Sequence, residues 1–226
     1  MLKIEDYEVP SAKWYSMVTM GMRNPKASWE RSDSYVLSAK ALEEMDVSDF
    51  CSVYRDQFVA GENDKRLMMA LANGGSVDAK YRREIPVIVN IDAPLYWWKE
   101  FDQYRVGVTT DSCSTMHTIH KKPFTLADFS LEHLDSKTRE EFSKSTLVIL
   151  NQAQEKFLEN RNKDNWWTMI QLLPSSLNQM RTTTLNYEVL TNIYHTRRQH
   201  KLDEWHVFCD WIETLPLSQI ITLKED

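Results

Sequence analysis

Five glycines in 226 residues, set against eight tryptophans, constrain this chain more than any other feature. Glycine supplies the bare backbone with which tight loops wrap a phosphate. The phosphate-loop and dinucleotide fingerprints each need two or three glycines at fixed spacing, and neither is present. Any nucleotide must then be held by side chains and helix ends. The length suits one domain with a substantial core. With 42% apolar and 27% charged residues, the chain has the make-up of a folded globular protein. No repeat, low-complexity tract or linker divides it, so residues 1–226 read as a single domain.

A net charge of −6 argues against a surface built to neutralise phosphates, so duplex nucleic acid is not an expected partner. No run approaches the roughly 18 consecutive apolar residues of a membrane helix. The N-terminus opens on Lys3, Glu5, Asp6 and Glu8 rather than a basic-then-apolar leader, which predicts a cytoplasmic protein with no membrane partner. Cys51, Cys113 and Cys209 are scattered and odd in number, as a reducing compartment permits. His117 and His120 have no further ligands at fixed spacing, so no metal is expected.

Hydrophobic periodicity predicts a chain of separate strands and helices, of the α+β class. Lys13 to Met20 reads as an early strand, Ser34 to Leu42 and Ser48 to Phe58 as helices, and Asn63 to Asn73 as a helix stopped by Gly74-Gly75. Glu84 to Ile91 is β-branched and continuous, a buried strand with Pro86 at its start or at a sheet edge. Asp92 then caps an aromatic helix from Pro94 to Tyr104. Val106 to Cys113 is extended, and a helical region begins at Leu126 and runs through Phe129 to Leu134. Ser136 to Asn160 forms the longest helix, and Asp164 to Leu172 another that ends at Pro174. Thr182 to Thr184 favour extension, and a last helix from Tyr187 to Leu215 is interrupted near Arg197 to His200.

Two stretches carry a resemblance. Along Ile88 to Met116 a strand feeds a helix ending in Gln103, Tyr104 and Arg105, followed by Val108 and then Cys113 and Thr115. Further on come Leu172-Leu173-Pro174, Asn186, and R-R-Q-H-K-L-D-E-W-H from Arg197 to His206. From about Asn73 to Pro216 this order resembles the flavin-dependent thymidylate synthases. In that family the first stretch reads R-H-R, x-x-S and Ser-x-Arg, and the second reads Leu-Pro, Asn, arginines, Ala-Gln and Glu-Ile-Arg. Arg105 and Glu204 match. Val108, Cys113 and Thr115 depart from the first pattern, and Lys201-Leu202 and His206 from the second.

The resemblance implies the fold of that family: a small central β-sheet with long packed helices, assembled as a homotetramer with nucleotide pockets between subunits. It also implies FAD, although the motif departures count against FAD and against normal turnover, because the family's arginines neutralise phosphate and polarise the uracil carbonyl. The implied nucleotide-binding residues are Arg105, Asp111, Ser112, Ser114, Asn186, Arg197, Arg198, His200 and Lys201. Trp98 and Tyr104 are candidates for stacking on a base.

Each has a plainer reading. Asp111 to Thr115 is either a ligand loop or ordinary turn chemistry, the aromatic helix is more often core, and basic residues on a long helix are usually solvated or paired. Cys113 has only His117 nearby as a nucleophile's helper. Three functions follow: a catalytically divergent binder of a nucleotide-like ligand, a flavin-dependent synthase methylating dUMP, and a structural oligomer without ligand. Relatives of the fold occur in viral genomes, so one version of the first is a viral protein in the host cytoplasm that sequesters a nucleotide signal of host immunity.

Overall fold

The computed structural model describes residues 1–37 and 58–223. At its centre is a four-stranded antiparallel sheet in the order β1 (Lys3–Glu8), β4 (Pro86–Pro94), β6 (Asn178–Asn186), β5 (Thr109–Ser112). A separate two-stranded ribbon pairs β2 (Tyr35–Val36) with β3 (Phe58–Val59). Pro86 sits at the start of β4 and opposite Asn186, but the strand is central rather than an edge. The edge strand β1 carries a register shift between Ile4 and Asp6.

Period-two alternation divides the sheet's faces. Val87, Val89, Ile91 and Ala93 of β4 and Thr183 and Leu185 of β6 are buried against helices. Ile88, Asn90 and Asp92, with Met180, Thr182 and Thr184, turn to the other face, where Thr182 donates to the Asn90 side chain at 2.7 Å. The buried face is covered by α1 (Ala12–Met22), α3 (Leu95–Phe101), α8 (Tyr187–Arg197), α9 (Asp203–Glu213) and α10 (Gln219–Thr222) in one large core, to which α2 (Glu62–Asn73) contributes Met68.

Several expectations are corrected. Residues 13–20 are helical, not a strand. Ser11 accepts from the Trp14 amide, and Ala12, Tyr15, Val18, Thr19 and Met22 are buried with a helix's spacing, which overrides their mixed strand propensity. The early strand is β1. Asp92 lies inside β4 and does not cap α3, whose N-cap is Pro94. Leu126 to Asp128 is one 3-10 turn, and the helical region expected to run on through Phe129 to Leu134 does not follow it. The long helix divides at Ser145 (φ −116°, ψ −74°) into α5 (Ser136–Lys144) and α6 (Thr146–Glu159). The helix expected at 34–42 begins with β2, and the rest of it, with the helix expected at 48–58 up to Phe58, lies outside the described residues. The interruption between α8 and α9 falls where it was expected, after Arg197. No described helix is long and apolar enough to cross a membrane.

Candidate functional site: a cleft at the end of the central strands

At the Asp92 end, the sheet's second face is roofed by the segment from Cys113 to Asp128, which includes α4 (Thr115–Thr118). This encloses a cleft of about 290 Å³. Its lining includes Asp92, Cys113, Thr115, Lys122, Asn178 and Gln179. Small-molecule pockets run from roughly 300 to 1,000 Å³, so this cleft stands at the small end of that range.

Local structure explains each position. Asp92 and Met180 are directly paired across β4 and β6, and Asn178 is paired with Pro94, so Asp92 and Asn178 are diagonal neighbours on one face. The Asn178 side-chain oxygen accepts from Ser130 at 2.8 Å. Gln179 donates to the Cys113 carbonyl at 2.8 Å and to the Thr115 hydroxyl at 3.1 Å, tying the roof to the sheet. Gln154, buried on α6, donates to the His120 carbonyl at 3.0 Å and to the Lys122 carbonyl, which fixes the roof from above.

The electrostatics are mixed. Burial pushes the Asp92 carboxyl above the ordinary aspartate range, opposed by Lys3 and reinforced by Glu5. Asp128 goes the other way: burial raises it, but hydrogen bonds from Lys122 and Thr125 outweigh that and hold it low. Lys122 is largely exposed and meets Asp128 at 2.7 Å, putting an ammonium at the rim. Among the described residues no group of three or more His, Cys, Asp or Glu side chains converges to hold a metal.

The residues expected to bind phosphate are not gathered here. Arg197 donates to Glu100 at 2.8 Å and to the Tyr104 hydroxyl at 2.8 Å, with its guanidinium 4.8 Å from the Trp205 ring centroid. His200 meets the same Glu100 oxygen at 3.3 Å. Arg198 is paired with Asp210 at 2.5 Å and Glu213 at 3.5 Å, and Lys201 is exposed. This cluster neutralises itself, because acidic residues distant in sequence reach it.

Asn186 is the N-cap of α8, accepting from the Val189 amide. Gly107 (φ +76°) packs so close that a Cβ there would lie 3.0 Å from the Asn186 amide nitrogen. Trp98 is buried, and Arg181 lies 4.3 Å from its ring centroid, so the expected stacking face is taken. Asp111 and Ser112 form β5 outside the cleft, and of the expected loop it is Cys113 and Thr115 that line it. Asn178, Gln179 and Lys122 line the cleft and are not among the expected residues. The signal available was the period-two alternation Ile88, Asn90, Asp92 against Val89, Ile91, Ala93, which marks Asp92 as facing away from the core.

No protein-family model and no curated protein matches the sequence. Solved structures do. Thymidylate synthase X (ThyX) from Helicobacter pylori, crystallised with FAD and dUMP, superposes over 97% of this chain and 94% of that one with a TM-score of 0.63 at 15% identity. A second crystal structure of flavin-dependent thymidylate synthase ThyX from the same organism, also complexed with FAD and dUMP, gives 0.59, 97% and 95% at 14% identity.

This chain has the ThyX fold. An identity this low carries architecture and not chemistry. At the ThyX motif positions, Gln103 and Arg105 are exposed, and the one hydrogen bond of Arg105 among the described residues is a 3.4 Å contact to the Asp102 carbonyl. Tyr104 is closed on Thr196 and Arg197.

The thiols offer a direct check on the cleft. Cys113 is exposed, whereas Cys209 is buried and its thiol is pushed up to about 12 by that burial. A thiol reagent applied to the native protein is expected to label Cys113 and spare Cys209 until denaturant is added, read by peptide mass mapping. Equal native labelling of both would contradict the packing around α9.

Proposed function

We propose that this ThyX-fold chain binds a mononucleotide-sized ligand in the cleft beneath Cys113 to Asp128, without synthase turnover. The observation that carries the reading is a cleft of about 290 Å³, mostly apolar with a few polar groups on its walls, in a fold whose ThyX examples were crystallised with dUMP and FAD, while Arg197 and Arg198 are engaged in internal pairs. Lys122 at the rim, paired with Asp128 but largely exposed, and the Thr115 hydroxyl, whose oxygen already accepts from Gln179, are the cleft's candidate groups for a phosphate. Sensing and sequestration of a nucleotide signal both need tight binding without turnover.

Self-association belongs to the proposal. Val148 and Ile149 on α6 and Trp167 on the adjoining α7 (Lys163–Gln171), with Leu172 just after it, are exposed apolar side chains of the kind that mark interfaces. A homotetramer is the assembly that the resemblance implies.

Native mass spectrometry of freshly purified protein, beside its visible spectrum, tests this. A colourless oligomer carrying a nucleotide mass is the expected result. A yellow protein with flavin mass would favour the synthase reading and call for a dUMP methylation assay. An oligomer that stays empty, and whose melting point no nucleotide raises at millimolar concentration, would overturn the proposal in favour of a structural role.

A further inference from the structure

We infer that the floor of this cleft selects a guanine edge. The inference rests on the nucleotide reading above. Among the described residues the Asp92 carboxylate has no hydrogen-bond or ion-pair partner, and it faces the cleft from the centre of β4. Its diagonal neighbour Asn178 has its oxygen committed to Ser130, which leaves the NH2 group without a described partner and on the same face. The floor therefore presents one amide donor beside one two-oxygen acceptor.

A base that fills it must present an acceptor beside two adjacent donors. Guanine does so, with O6 set against the Asn178 NH2 and with N1–H and the 2-amino group set against the two oxygens of Asp92, an arrangement a carboxylate accepts bidentately. Uracil has an acceptor on each side of its single N–H, so its second carbonyl would oppose the carboxylate. Adenine and cytosine can set a ring-nitrogen acceptor against Asn178 and an amino group against Asp92, but they lack the second adjacent N–H that would engage the other carboxylate oxygen. Hypoxanthine keeps O6 and N1–H but lacks the 2-amino group, which makes it the sharpest control. Burial that favours a neutral Asp92 weakens this discrimination, and a pair of N–H donors restores the ionised form.

The experiment is calorimetric titration of the full chain with GMP, IMP and dUMP, repeated on D92N and N178D, each checked for an unchanged melting curve. Hydrogen bonds to a charged group are worth enough that GMP is expected to bind about tenfold or more tightly than IMP, with dUMP weaker still. D92N is expected to lose about that factor for GMP and to narrow the gap to IMP. N178D, which sets a carboxylate against O6, is expected to weaken GMP and IMP alike. GMP bound in the cleft also protects Cys113 from labelling.

Equal binding of GMP and IMP, or GMP affinity untouched by D92N, would overturn the base selection and leave nucleotide binding standing. GMP binding without Cys113 protection would overturn the site. Failure of all three nucleotides to bind would overturn both readings.

Discussion

Replacing Asp64 by alanine is expected to destabilise the protein by about 3–5 kcal/mol, the usual cost of removing one partner from a buried ion pair. Arg23 and Asp64 are 4% and 0% exposed and meet at 2.6 Å. The second Asp64 oxygen accepts from the hydroxyls of Ser32 and Ser34 and from the amides of Asp33 and Ser34. Taking the carboxylate away leaves a guanidinium and several donors buried with nothing to accept from them. Urea melts should show a lower midpoint at unchanged slope, whereas a paired Arg23→Met, Asp64→Leu variant should lose much less because no charge is stranded.

The same group sets a pH response. Burial raises the Asp64 pKa, but hydrogen bonds from Ser34, Ser32 and Arg23 outweigh it and the net shift is downward. A folded pKa below the unfolded value of about 3.9 gives stability that is fully present above that value and lost as pH falls through the folded pKa. An acid melt with no difference between wild type and Asp64→Asn would contradict this.

Trp97→Ala is expected to cost about 3–5 kcal/mol as well, through a cavity rather than a charge. The ring is fully buried, with centroids 4.7 Å from Trp205, 5.0 Å from Phe101 and 5.7 Å from Phe208. Trp97→Phe should cost much less. Volume is lost, but so is a buried indole N–H with no hydrogen-bond partner among the described residues, which leaves one fewer unsatisfied donor of the kind that costs about 1–3 kcal/mol. Equal destabilisation by the two substitutions would mean that the indole's shape, and not its aromatic bulk, holds the cluster together.

The elements that the chain announces locally are the ones whose burial and propensity agree. The β-branched run before Asp92 is a central strand, residues 62–73 are a helix, and the threonines at 182–184 are extended. Lys13 to Met20 misleads because Trp, Tyr and Val favour strands in isolation, and only the tertiary burial of every third or fourth residue makes them helical. Site residues were less legible. Whether Arg197 is free or neutralised depends on Glu100, 97 positions away, and no local pattern reports that. Asp92 sits beside Asn178 because two strands distant in sequence are paired. The resemblance identified the architecture, since layers survive substitutions that erase charged contacts.

The shape of the sheet's borders bears on how copies of this chain can meet. One border strand is kinked where its pairing slips between Ile4 and Asp6, and the other, β5, is four residues long beside a nine-residue neighbour. Neither presents the long, straight row of unpaired amides that templates strand addition. Copies of this chain that meet are thereby steered away from edge-to-edge strand addition and toward contacts between side-chain surfaces.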